Sequence, residues 1–311
     1  MRIRFPRHVW LLLFAALLLG GCHGKDDPSR PGGSSPVAAV QTSIALLKSG
    51  DFNGLWKHAL PPADYANLRA DWSRHERNQQ PVTAEDRARF NQAMQQLTGP
   101  DAENKLYAEL RPKLVAMEQQ YKDQLPVLIS VGGALANKAV TQNKELTPTQ
   151  KVQVNDALDV ITPWAQKTPW FDEDKAKRAI GVAVNTARKL DLKSPEQLRA
   201  MDFDAVMNKY SIGYSGIKQV LVIYGLSVDN ALDSVKVSEL SNNHGHAVVK
   251  VDYALLGKPL STESKLVLEN GRWYSEDMLA NVRKSHQQLS QPAMARAPAA
   301  AAVVGSVASK D

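Results

Sequence analysis

The chain has 311 residues, 43% of them apolar, with one cysteine and a formal net charge of +6. That length fits one large domain or two small ones, with enough apolar residues for a core. The single cysteine excludes an intramolecular disulfide, and no Lys/Arg run interleaved with aromatics supports nucleic-acid binding.

The first predicted element is a leader. Arg2, Arg4 and Arg7, with His8, form a basic start, and Val9 to Leu19 is an unbroken apolar run. The run has eleven residues, whereas a bilayer-spanning helix needs roughly 20. Gly20, Gly21 and Cys22 follow, completing the charged, apolar, small-residue order of a secretory signal. Leu19-Gly20-Gly21-Cys22 resembles the lipobox of bacterial lipoproteins. The resemblance implies diacylglycerol transfer to the Cys22 sulfur, cleavage between Gly21 and Cys22, and N-acylation of the new terminus. The thiolate is the side-chain nucleophile suited to the first step, and two to three acyl chains make a stable anchor. His23 stands after the cysteine where Asp would signal inner-membrane retention, so the resemblance further implies an outer-membrane lipoprotein facing the periplasm. A plain signal peptide with a stray cysteine and an uncleaved anchor helix are the alternatives. With residues 1–21 removed, three of the 38 basic residues and none of the 32 acidic ones are lost, and the net charge falls to +3.

Residues 22–35 contain Lys25-Asp-Asp-Pro-Ser-Arg-Pro-Gly-Gly-Ser-Ser35 and read as a flexible tether. Residues 36–200 read as a helical region. Ser35-Pro36 is a cap followed by proline at the first helical position, and Val37, Val40, Ile44 and Leu47 recur at helical spacing until Gly50. Asp51 opens a short helix with Leu55 and Trp56, and Ala63 to Arg74 carries Tyr65, Leu68 and Trp72 on one side. Thr83, Asp101 and Thr147-Pro148 open further helices, and Pro112 predicts a break or kink inside the second of them. Pro126 precedes a helix over Val127 to Val140, whose Gly132-Gly133 allows close approach of a neighbour. Asp172 to Leu190 is a clear helix, followed by short ones at Ser194 and Asp202. Ile217 to Tyr224 is an apolar run that fits helix or strand equally.

Residues 201–289 read as an α+β region packed on those helices. Ser234–Leu240 and Ala247–Leu255 alternate apolar and polar residues, and Leu260–Glu269 and Arg272–Ser275 continue the pattern, with Asn270-Gly271 as a hairpin turn. Met278–Gln288 is a last helix, and residues 290–311 read as a disordered Ala/Pro/Ser-rich tail. The fold class is therefore α+β and mostly helical: many helices, then a three- to four-stranded antiparallel meander and a final helix. Gly271-Arg-Trp-Tyr274, with Leu46 to Trp56 near the start, resembles NTF2-like and cystatin-like domains, which implies helices leading into a curved sheet.

Several constellations could carry chemistry. His244 and His246, one residue apart, would face the same side of a strand and could share a metal, although no third ligand stands at a recognisable spacing, and a solvated turn is the simpler reading. Glu173 and Asp174 beside Trp170-Phe171 are a carboxylate pair, equally explained by the preference of helix starts for acids. Trp56, Tyr65, Trp72, Trp164 and Trp170 could line a ligand cleft or anchor a core. No Gly-x-Ser-x-Gly elbow surrounds Ser215, and no phosphate loop, dinucleotide fingerprint or His-Glu-x-x-His occurs. No cofactor is implied. The leading expectation is a non-enzymatic envelope lipoprotein, anchored to the membrane, that binds an envelope partner. The alternatives are an immunity or inhibitor lipoprotein against a delivered toxin, and an enzyme or small-ligand binder using an NTF2-like pocket. Oligomeric state has no sequence signal.

Overall fold

The computed structural model describes residues 30–77, 81–144 and 146–290. The expected leader, the expected cleavage and lipidation site at Gly21 and Cys22, and residues 291–311 of the expected tail lie outside the described residues. The fold is α+β and mostly helical, with twelve helices and one antiparallel sheet of order β1-β2-β3-β4 among the described residues.

Three helices open the chain: α1 (Pro36–Ser49), α2 (Phe52–Ala59) and α3 (Pro62–Arg77). The cap signals are where the helices begin. The Ser35 hydroxyl accepts from Ala38 N at 3.1 Å, Pro36 fills the first turn, and Gly50 closes α1 in the left-handed region at φ 73°. Six helices follow: α4 (Ala84–Thr98), α5 (Ala102–Tyr121), α6 (Leu125–Gln142), α7 (Pro148–Lys167), α8 (Glu173–Leu190) and α9 (Pro195–Ala200). Thr147 and Gln150 form a reciprocal capping box at α7, and Asp172 caps α8 through Lys175 N at 2.8 Å. Pro112 does not end its helix; α5 runs through it from Ala102 to Tyr121. The segment Ile217 to Tyr224 resolves as helix, because it continues α10 (Phe203–Ile223) from a start capped by Asp202. After α11 (Val228–Asp233) come β1 (Lys236–Asn243), β2 (His246–Leu255), β3 (Lys258–Glu269), β4 (Arg272–Ser275) and α12 (Glu276–Ser290).

The meander is drawn tight by three turns of one kind. His244 and Gly245 have φ of 51° and 82°, Leu256 and Gly257 have 52° and 77°, and Asn270 and Gly271 have 51° and 75°. Positive φ at both central residues gives the hairpin a twist that matches its strands. Register then places Val251 opposite Val237 on one side and Thr262 on the other, and Ala247 opposite Leu266. Ala247, Val249, Val251 and Leu266 are at most 2% exposed and form the inner face.

That face is covered from both ends of the chain. Ala39, Val40, Ile44 and Leu47 of α1, Phe52 and Leu55 of α2, Phe203, Val206 and Met207 of α10 and Leu232 of α11 form one core with it. The core therefore runs across the division expected at residue 200: α1 and α2 pack as cover for the sheet, and α4 to α9 are the intervening helices. The sequence pattern assigns helices to a region by adjacency, whereas burial joins residues two hundred positions apart.

The stretch expected to be a tether is pinned over its last residues. Gly33 N donates to Trp273 O at 2.9 Å and Trp273 N donates back to Gly33 O at 2.9 Å, adding a fifth, one-residue rung beside β4. Gly32 N donates to His58 O at 2.8 Å, and Arg272 Nε donates to Pro31 O at 3.0 Å. Glycine is required at this contact: a Cβ on Gly33 would lie 2.2 Å from Ala39 N. Composition reads Gly-Gly as slack, but here it permits backbone to touch backbone.

Candidate functional site

The five aromatics proposed as a cleft separate into two clusters. Trp56 of α2 and Tyr65 and Trp72 of α3 all meet Phe203 of α10 edge-on, with ring centroids 6.4, 6.1 and 5.9 Å away. Phe203 is buried at 3% exposure, so these rings close a core around it. Trp164 and Trp170 meet edge-on 5.6 Å apart beside Tyr224, and their indole N–H groups donate to Tyr224 O at 3.0 Å and Ala165 O at 2.7 Å. They tie α7 to the end of α10. Both clusters are partly buried ring-on-ring packing, and the Trp72 indole N–H donates to Met201 O at 3.4 Å.

The inner face of the sheet is likewise filled. The cavity left there has a volume of about 20 Å3 and is lined by Ser43, His58, Ser264 and Trp273 among others. That is room for about one water molecule, and Ala247, Val249, Val251 and Leu266 are buried on the inner face beside it. His58, 2% exposed, donates through Nε2 to Ala39 O at 3.1 Å and serves the junction of α1 and α2.

His244 and His246 do not share a strand face. His244 occupies the left-handed position of the β1–β2 turn, while His246 begins β2, so the two-residue alternation that would align them does not extend across the turn. Both are exposed, and His246 Nδ1 lies 3.9 Å from Glu276. No group of three or more His, Cys, Asp or Glu side chains able to hold a metal occurs among the described residues.

Glu173 is a clamp between helices. Tyr107 OH and Arg111 Nε of α5 donate to its Oε2 at 2.8 and 2.7 Å. Arg111, then Tyr107, holds the carboxyl below its ordinary range, and the same bond pushes the Tyr107 hydroxyl up. A carboxyl held ionised in this way suits joining α5 to α8 better than delivering protons near neutral pH. Asp174 points outward, exposed.

A further opening lies elsewhere, in a groove of about 580 Å3 between α8 and α10. Helix α8 presents Arg178, Val182 and Asn185, and α10 presents Ser215, Gln219 and Val222. The two helices approach closely at Gly216, where a Cβ would meet Thr186 Oγ1 at 2.4 Å, and the groove opens beside that contact. Lys218 on its wall is committed to Asp229 Oδ1 at 2.7 Å and Lys48 O at 3.0 Å. Gln219 Nε2 donates to the Ser215 carbonyl and hydroxyl, both at 3.2 Å. Arg178 has no ion-pair or hydrogen-bond partner among the described residues and stands exposed at the rim. The groove therefore offers one free guanidinium, amide and hydroxyl groups, and a valine on each wall. Sequence reasoning missed these residues. The polar face of an amphipathic helix looks the same whether it meets solvent or another helix's polar face. Compared with protein-family models, curated proteins and solved structures, the chain matches none.

Proposed function

We propose that this chain is a lipid-anchored envelope protein facing the periplasm, held through Cys22, that binds a segment of another envelope protein in the groove between α8 and α10. The groove carries the reading. Its volume of about 580 Å3 falls within the roughly 300–1,000 Å3 of ligand sites. It is open along two helices rather than closed over a small molecule. Arg178 selects a carboxylate, Asn185 and Gln219 can bond a backbone, and Val182 and Val222 take apolar side chains. The Ser215 hydroxyl meets an amide and not a base, so the groove supports recognition rather than acyl transfer. On this reading the stretch from Cys22 to Arg30, which can extend at most roughly 28 Å, separates the lipid from the pinned Gly32–Gly33. The folded body then stands close to the surface that holds the lipid.

Two experiments test the two halves. Cys22→Ser should abolish palmitate incorporation and leave an uncleaved precursor; continued labelling would refute the anchor. A light-activated benzophenone side chain at Gln219 in the full chain should give a discrete protein adduct in the envelope, lost on Arg178→Glu. No adduct, or one indifferent to Arg178→Glu, would refute the groove.

A further inference from the structure

Helix α6 is apolar around its circumference, and only one side of it is covered. From Leu125 to Asn137 it carries no charged residue. One side rests on α7: a Cβ at Gly133 would come within 2.8 Å of Thr162 Oγ1, Gln166 Nε2 donates to Pro126 O at 3.1 Å, and Asn137 Nδ2 donates to Asp159 Oδ1 at 3.3 Å. On the other side Val127, Leu128, Val131 and Leu135 are 64, 52, 54 and 62% exposed. With 3.6 residues per turn these four share an arc of about 100°. A helix uncharged from Leu125 to Asn137, with a continuous bare apolar arc, marks a contact surface.

We propose that a second copy of the chain covers this face, its α6 lying antiparallel to the first, so that the two α6–α7 hairpins form a four-helix layer about a twofold axis. The pattern is self-complementary. About the midpoint between Val131 and Gly132, Leu128 and Leu135 are equally spaced, so Leu128 of one copy meets Leu135 of the other and Val131 meets Gly132. A Cβ at Gly132 would touch nothing within 4 Å, leaving a hollow that the opposing Val131 fills. A twofold contact demands this reciprocity. Charge does not oppose this occupant. Lys138 at one end of the seam comes to the Lys122–Asp123 end of the other copy, which is neutral overall, so no like-charge pair is forced together. A heterologous partner chosen by charge would have nothing to read across this face. One helix face per copy is a smaller contact than the roughly 800 Å2 per partner of stable complexes. The dimer is therefore reversible and concentration-dependent. It is independent of the groove, which lies on α8 and α10.

The test uses the full chain in mild detergent, followed by sedimentation over a concentration series, together with a benzophenone side chain at Val131 activated in the intact envelope. The expected results are a monomer–dimer equilibrium and an adduct of twice the chain mass. Leu128→Asp with Leu135→Asp, both at exposed positions, should raise the dissociation constant about a hundredfold with unchanged circular dichroism. Monomers at every concentration, a dimer indifferent to the double substitution, an adduct with another protein, or lipid adducts alone would each overturn the proposal.

Discussion

Replacing Phe203 by alanine should be the most damaging single change in the core. The ring is 3% exposed and touches Trp56, Tyr65 and Trp72 edge-on with centroids within 6.4 Å. Truncating a buried phenylalanine costs roughly 3–5 kcal/mol in lost transfer energy and cavity. Each edge-on aromatic contact adds about 0.5–1.5 kcal/mol beyond its area, part of it already inside that figure. A total near 5 kcal/mol follows for Phe203→Ala, and about 2 kcal/mol for Phe203→Leu, which keeps most of the volume and loses the ring contacts. Global stabilities are roughly 5–15 kcal/mol, so the alanine variant stands near the limit of folding. The assay is urea unfolding of the full chain, followed by tryptophan fluorescence, because Trp56 and Trp72 report on this cluster directly. With a slope of about 3 kcal/mol per molar urea the alanine midpoint should fall by about 1.7 M. A fall below about 0.3 M would mean that the rings border a hydrated cleft, and the core reading of Trp56, Tyr65 and Trp72 would fail.

Gly33→Ala should cost about 2–3 kcal/mol by displacing the Gly33–Trp273 pair of hydrogen bonds, read as a lowered melting temperature; an unchanged melt would show that the rung is dispensable. Leu256, a leucine held at φ 52°, is strained, and Leu256→Asn should stabilise by up to about 1 kcal/mol, less what its half-buried side chain contributes. A destabilised variant would refute the strain. Glu173 has its carboxyl held below the ordinary value of 4.5 by Arg111 and Tyr107. A depressed folded value means that its contribution is present above the unfolded value and lost as pH falls through the folded one. Glu173→Gln should therefore narrow the loss of stability between neutral and acid pH, and an acid limb identical to the parent's would refute the clamp.

The local architecture was legible because it depends on neighbours in sequence. Ser35-Pro36, Thr147-Pro148, Asp172 and Asp202 are caps whose partners lie three residues away, and Asn270-Gly271 specifies its own turn. What was not legible depends on residues far apart. The same tryptophan serves a core or a cleft, and only Phe203, more than a hundred residues after Trp72, decides which. Gly32-Gly33 reads as slack until Trp273 and Ala39 are beside it. His244 and His246 look aligned until the turn between β1 and β2 takes one of them off the strand. Pro112 predicts a break from its own geometry, yet α5 continues through it. Arg178, Asn185, Ser215 and Gln219 gave no signal, because a groove is a property of two helices and each was read alone.

The union of α1 and α2 with β2, β3 and β4 sets an order of events for the newborn chain. Ala39, Val40 and Leu47 find their partners Val249, Leu266 and Trp273 only when the last quarter of the polypeptide has been delivered. Loop closure over such a separation is slow, and apolar segments waiting for it remain available to chaperones. Under the envelope function proposed above, the delay would suit export, since the opening helices cannot lock into a finished core before the last strands are delivered.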